Sequence, residues 1–396
     1  MTPAFHCPSR IISGRPYQEA VRDVLGGRPW ALVTSPGWRS RNAVASLDEC
    51  CGPPQAVVAE APVNPKVSDI LELAERLPDV PVVVGLGGGS AMDTAKGLVA
   101  VRALKGDAEA LMGHLREGRD LPDDFAPAAL VAVPTTSGTG SDITRWATIW
   151  GDEGVKYSLS HPALYPSHSI LDPELCRSMP AEVTLASGLD ALSHAMESVW
   201  NRHHNPVSDH LAEVAIGLLF EHLGAVLKAP DDIALRRKVQ TASLFAALAM
   251  GTTQTALAHS ISYPFTALFG MPHGFACSFT LAEVARHNMA ADADRLTPIA
   301  RALGCALEEL PQTIEDWLRA LGLGTHLERY VSPAATDELG DSLITRARAA
   351  NNLRETDGTV ARAIARRSLE VLCGVRRPAR PQAAARARLA RPPDGA

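Results

Sequence analysis

In the first half of the chain, short apolar runs alternate with segments whose apolar residues recur every three or four positions. The runs at 30–34, 56–59, 80–84 and 129–133 are β-rich and bounded by turn residues, the pattern of strands buried on both faces. Between them, 67–77 repeats its apolar residues at helical spacing. This alternation predicts an α/β region with a parallel sheet covered by helices. Beyond about residue 182 the strand-like runs stop. Segments 208–228, 233–250 and 281–303 carry helical periodicity, which predicts an all-helical second half. The expected organisation is an α/β domain over 1–181, a helical domain over 182–374 and a tail over 375–396.

Composition narrows the class. The chain has 396 residues, 46% hydrophobic and 21% charged, with a net charge of −6. That excludes collagen-like and mostly disordered proteins. Seven cysteines without CxxC spacing point to free thiols in a reducing compartment. No uninterrupted apolar run reaches the roughly 18 residues of a spanning helix, and no basic-then-apolar leader opens the chain. A cytoplasmic protein without membrane or nucleic-acid partners is expected. The tail is the exception: six arginines against Asp394 give it about +5, so the −6 of the whole chain becomes about −11 over the first 374 residues. Poor in large apolar residues, it is expected to remain solvated.

Two loops carry candidate chemistry. Gly85 to Lys96 (GLGGGSAMDTAK) follows a predicted strand and opens a predicted helix, where backbone N–H groups can approach a phosphate. It is neither a GxGxxG fingerprint nor a Walker loop. Pro134 to Asp142 (PTTSGTGSD) follows the next predicted strand and offers hydroxyls to a nucleotide. Tight turns alone would account for either loop singly. Asp190 and His194 stand four apart, on one face of a helix, and His259 and His273 flank an apolar stretch. Together they make an N3O donor set suited to Fe²⁺ or Zn²⁺. The other reading of the Asp190–His194 pair is a satisfied helix-face contact. His6, His114, His203, His204, His210, His222 and His287 are read as ordinary surface or core residues.

The segments GGGSAMDTAK (87–96), PTTSGTGSD (134–142), ILDPEL (170–175), GLDALSHAMES (188–198) and HSISYPFTALFGMPHG (259–274) together resemble the iron-containing (group III) alcohol dehydrogenases. The resemblance implies a nucleotide-binding domain followed by a helical metal domain, in a homodimer. It implies that Gly87, Gly88, Gly89, Ser90 and Asp93 hold the cofactor pyrophosphate. Thr135, Thr136, Thr139 and Lys156 would line the nucleotide cleft, and Asp190, His194, His259 and His273 would be the metal ligands. A divalent metal would polarise the carbonyl of a small aldehyde while NAD(P)H supplies hydride. No side chain stands out as a general acid.

Three departures modify that expectation. Tyr263 occupies a position where the family often has histidine, and either supplies a hydroxyl or fills space. Ser35 replaces an aspartate common in NAD-preferring relatives, so Arg39 or Arg41 could pair with a 2′-phosphate, and NADPH use is expected. The arginine-rich tail has no counterpart in the family pattern. Within the family, 145–150, 156–160 and 197–202 look most like the phosphonoacetaldehyde reductases of phosphonate and antibiotic biosynthesis. That likeness implies cations near the metal, with Arg145, Lys156 and Arg202 the candidates and His161 and His168 as further donors. The alternatives are a reductase of another short aldehyde, or a metal-dependent lyase of the dehydroquinate-synthase type.

Overall fold

The computed structural model describes residues 4–374; the 375–396 tail lies outside the described residues. Six strands form one parallel sheet: β1 (Arg10–Ser13), β2 (Trp30–Thr34), β3 (Ala56–Val58), β4 (Val82–Gly87), β5 (Ala129–Pro134) and, after a small hairpin, β8 (His168–Leu171). The hairpin pairs β6 (Trp146–Trp150) with β7 (Lys156–Ser160) antiparallel. The sheet order is β1-β8-β5-β4-β2-β3. Every residue of β2 and β4 is buried, because helices cover both faces and each face packs its own apolar cluster.

The chain runs outward from β2 to β3, then crosses back to β4 and continues to β5. The order therefore reverses between β2 and β4. In open α/β sheets this switch point opens the crevice at the strand C-termini that receives a ligand. There the Thr34 hydroxyl donates to the Leu86 carbonyl at 2.7 Å, tying the two strand ends together. Both glycine- and threonine-rich loops leave from this edge, and α1 (Gly89–Ala103) begins directly at the first.

After β8 the described elements are all helical. Pro180 leads into α2 (Ala181–Val199), followed by α3 (Pro206–Lys228), α4 (Ile233–Thr253), α5 (Leu257–Phe269) and α6 (His273–Ser278). Starts are set locally. Asn205 Oδ1 accepts from the N–H groups of Val207 and Ser208 at 3.0 Å, with Pro206 in the first turn. Asp232 caps α4 in the same way. The expected long helix over 281–303 is broken. It runs Leu281–Met289, then turns where Asp292 accepts from Arg295 N–H, and resumes as Thr297–Leu303 with Pro298 in its first turn. Aspartates and a proline end helices, and here they override the apolar repeat.

By composition α3 is long and apolar enough to cross a membrane, with a mean hydropathy of 1.4. Charged residues interrupt it, so a search for unbroken runs passes over it. Its Ala212, Ala215, Ile216, Leu219 and Leu223 face is buried in the helical core beside α2 and α4.

Candidate active site

A cleft of about 680 Å³ runs from the start of α1 to the α2, α5 and α6 helices, a size suited to a small ligand or cofactor. At its sheet end the Thr135 N–H donates to the Gly87 carbonyl, joining the two loops. A side chain on Gly89 would press within 2.7 Å of Thr139, so glycine is needed for this approach. Asp93 accepts from the Ser141 hydroxyl at 2.6 Å. Beneath them Lys96 is fully buried and donates to the carbonyls of Ser141, Thr144 and Trp146 at 2.6–2.7 Å. It thereby staples the second loop to α1. Burial pulls its ammonium down to about 8, with Asp93 and Asp142 opposing. The free N–H groups at the start of α1 and this small-residue wall make a seat for a phosphate.

At the other end, three histidines converge on one carboxylate. Asp190 Oδ1 lies 3.6 Å from His194 Nε2, 3.5 Å from His259 Nε2 and 4.0 Å from His273 Nε2. The Cys277 thiol, from α6, donates to the same oxygen at 3.4 Å. His194 and His259 stack with ring centroids 4.9 Å apart. The tightest donor grouping is Asp190, His259, His273 and Cys277, whose ligand atoms all lie within 4.8 Å of one another. His194 flanks it.

Glu197 fixes the His259 ring. It is fully buried and accepts from His259 Nδ1 at 2.6 Å, from His259 N–H and from Ala256 N–H. With Nδ1–H committed, the lone pair of Nε2 faces Asp190, and that buried atom has no hydrogen-bond partner. That 3.5 Å approach to a carboxylate calls for positive charge at Nε2, a proton when no metal is bound and a metal ion in its place when one is. Burial alone would lower the His259 pKa, yet Glu197 and Asp190 outweigh it and raise it to about 9. For Asp190 burial opposes ionisation, and the neighbouring histidines still hold it well below the ordinary carboxylate range. His273 is pushed the opposite way, by burial and then by Lys156. The donor set therefore fits a divalent transition metal, with the carboxylate–histidine pairing typical of such sites. Replacing Glu197 by Gln removes the charge that orients and polarises His259. Metal affinity should fall by about 10- to 100-fold, read by titration against a competing chelator; unchanged affinity would remove Glu197 from the site.

Between the two ends the cleft is cationic. Lys156 Nζ sits 4.3 Å from the centroid of the Tyr263 ring, and Arg348 Nε donates to the Tyr263 hydroxyl at 3.4 Å. Burial would raise the phenol's pKa, but Lys156 and Arg348 bring it below its ordinary value. Tyr263 stacks toward His273 with centroids 6.4 Å apart. The position read as either a hydroxyl donor or a space filler thus carries a hydroxyl in a polar contact.

Of the residues anticipated from sequence, Gly89, Ser90, Asp93, Thr136, Thr139, Lys156, Asp190, His194, His259, Tyr263 and His273 line this cleft. Gly87, Gly88 and Thr135 lie directly behind it in the same loops. Ser35 and Arg39 stand off the cleft, and Arg39 is 3.8 Å from Glu60, an acid just after β3. Arg145 and Arg202 are not brought to the metal cluster. Arg145 lies over the Trp146 ring and its charge is felt by His161 and Tyr165. Arg202 pairs with exposed Glu355. His161 accepts from Ala163 N–H, and His168 contacts Ser167; neither lines the cleft. Glu197, Cys277, Gln254 and Arg348 were missed. Glu197 and Cys277 each left a signal, Glu197 as the next residue on the Asp190–His194 helix face and Cys277 as the residue four after His273.

Residues 8–173 match the iron-containing alcohol dehydrogenase family, and residues 184–368 match the C-terminal part of the Fe-containing alcohol dehydrogenase family. The chain is 31% identical to the phosphonoacetaldehyde reductase of Streptomyces viridochromogenes, over 88% of this chain and 89% of that protein. It is 34% identical to the 1-propanol dehydrogenase of Salmonella typhimurium, over 63% of this chain and 62% of that one. The fold superposes with a TM-score of 0.85 on the sulfoacetaldehyde reductase of Bifidobacterium kashiwanohense in complex with NAD⁺, at 27% identity over 93% and 99% of the two chains. With both halves matched in order and a relative aligned nearly end to end, this chain belongs to the iron-containing, NAD(P)-dependent alcohol dehydrogenase family.

Proposed function

We propose that the protein reduces a short aldehyde to its primary alcohol with NAD(P)H, and that the aldehyde is phosphonoacetaldehyde, giving 2-hydroxyethylphosphonate in phosphonate biosynthesis. The observation that carries the reduction is the convergence of Asp190, His194, His259 and His273 at the end of a cleft that begins at a phosphate seat. In this reading Asp190 and the three histidines hold the metal, with Cys277 beside them, and Gly87, Gly88, Gly89, Ser90 and Asp93 hold the pyrophosphate end. When bound, the metal supplies Lewis-acid polarisation of the carbonyl and the nicotinamide supplies hydride. Thr136 and Thr139, which pack against Gly88 and Gly89, would line the nucleotide seat, Glu197 holds the His259 ring, and Tyr263 closes the wall beside His273. The named substrate is supported by the end-to-end likeness to the Streptomyces reductase. The second reading is another short aldehyde, favoured by the likeness to the propanol enzyme.

Metal-reconstituted protein assayed with an aldehyde panel and both cofactors tests the proposal. Turnover of phosphonoacetaldehyde above propanal is expected. No turnover of any aldehyde with Fe²⁺ or Zn²⁺ would overturn it. The neighbourhood of Ser35 supports NADPH use, although Glu60 beside Arg39 offsets part of the attraction. Ser35→Asp should shift the kcat/KM ratio toward NADH by about tenfold, since a carboxylate there repels a 2′-phosphate. An unshifted ratio would place the discrimination elsewhere.

A further inference from the structure

We infer that Arg348 is the seat for a tetrahedral oxyanion on the substrate, a phosphonate or sulfonate carried one carbon beyond the carbonyl. This deepens the aldehyde-reductase reading and rests on it.

Arg348 lies in the short helix Arg346–Ala349, far along the chain from the metal ligands, yet it lines the same cleft. Its guanidinium is held from three sides, and every partner is uncharged. One terminal nitrogen donates to Gln254 Oε1 at 2.8 Å, the other to Ser158 Oγ at 3.2 Å, and Nε to the Tyr263 hydroxyl at 3.4 Å. Among the described residues no carboxylate lies within ion-pair distance of Arg348 or Lys156. By contrast, arginine pairs away from the cleft, such as Arg39 with Arg76 and Arg319 with Arg286, have acids in contact. A guanidinium has five N–H groups, and three bonds leave one free on each terminal nitrogen. Both terminal nitrogens thus keep a donor for an oxyanion, the kind of ligand a guanidinium binds through paired hydrogen bonds.

The mount for Arg348 is held in an unfavourable backbone shape. Gln254 follows α4 with φ 64° and ψ 177°, a region used almost only by glycine and strained for any other residue. Its carbonyl accepts from Asn201 and from Thr253, which fixes the turn, and its side-chain amide is left to meet Arg348. Glycine would relieve this strain but would lose the amide. Position also matters. Tyr263 stands between the His273 ring, its centroid 6.4 Å away, and Arg348, whose Nε is 3.4 Å from its hydroxyl, so the guanidinium and the metal cluster line the same cleft on either side of one side chain. A neutral aldehyde leaves two cations unpaired in a partly desolvated cleft, which is costly.

The test uses full-length, metal-loaded protein and its Arg348→Met and Arg348→Lys variants. Ratios of kcat/KM are measured for phosphonoacetaldehyde, sulfoacetaldehyde and propanal. Arg348→Met should lower the anionic-to-neutral ratio at least 30-fold, mainly through KM, with Arg348→Lys between it and the parent. The larger of the phosphonate and sulfonate effects identifies the anion. Calorimetry with ethylphosphonate and ethanesulfonate reads the same seat without turnover: binding that weakens at least 30-fold in Arg348→Met supports it even if no aldehyde is reduced. That outcome would remove the reductase reading and keep the anion seat. An unchanged ratio with unchanged ethylphosphonate and ethanesulfonate binding would overturn the seat. So would an effect confined to the KM of NAD(P)H, which would assign Arg348 to the cofactor phosphates.

Discussion

Asp190→Ala is expected to lower aldehyde reduction by at least about a thousandfold, equivalent to ~4 kcal/mol of transition-state stabilisation, and to strip the protein of bound metal on dialysis. The reason lies in the geometry. Asp190 Oδ1 is the one point to which His194, His259, His273 and Cys277 all come within 4.0 Å. It is also the one carboxylate among those donors, because Glu197 is already spent on His259 Nδ1 and two backbone N–H groups. Its removal leaves imidazoles without the charge that balances a divalent ion. Metal content after exhaustive dialysis, measured beside nucleotide binding, separates loss of the ion from loss of the fold. Full metal retention with intact turnover would dismiss this centre.

The second large effect is steric. A Cβ on Gly274 would lie 1.8 Å from the Ala186 carbonyl oxygen and 2.6 Å from its carbon, and both belong to backbone that cannot rotate away. Gly274→Ala must therefore push α6 off α2, and His273, the residue before it, moves with α6. Such overpacking costs about 3 kcal/mol or more, a large part of the stability of an ordinary domain. Thermal unfolding should fall by several degrees, and metal affinity should drop even in the fraction that stays folded. Alanine at Gly37, where nothing lies within 4 Å and φ is likewise not positive, is the control for adding a methyl group without the clash. A Gly274→Ala variant as stable as the parent would show that α6 and α2 are not held at this distance.

The central strands and the long helices were legible because their burial is one-dimensional. β2 and β5 are runs of apolar residues wholly or almost wholly inside, and α3 and α4 declare themselves by period and cap. The edge strand β1, with mostly exposed residues, has no apolar signature. In the hairpin, β6 alternates buried and half-buried positions, but β7 buries only Leu159 and exposes Ser158, so its role lies in what it covers. The site divides in the same way. Asp190, His194 and Glu197 share a helix face, so spacing brings them together. Arg348 is separated from Tyr263 by 85 residues and from Ser158 by 190, and no local pattern can report a contact made by tertiary folding. Arg145 and Arg202, suggested by the likeness to the phosphonoacetaldehyde reductases, lie against Trp146 and Glu355.

One turn of α2 carries a mechanical consequence. Ala186 and Ser187 present successive carbonyls, and each meets a bare glycine from a different side: Gly274 from the ligand helix, and Gly138, whose added Cβ would be 2.2 Å from the Ser187 oxygen, from the threonine-rich loop. Backbone rides on backbone at both places, with no side chain between to slide or compress. This turn is therefore a bearing shared by the nucleotide seat and the metal seat. The spacing between the two seats is thus set by main-chain contact, while on the far side of the cleft the Arg348–Ser158 hydrogen bond ties the helical part to the hairpin.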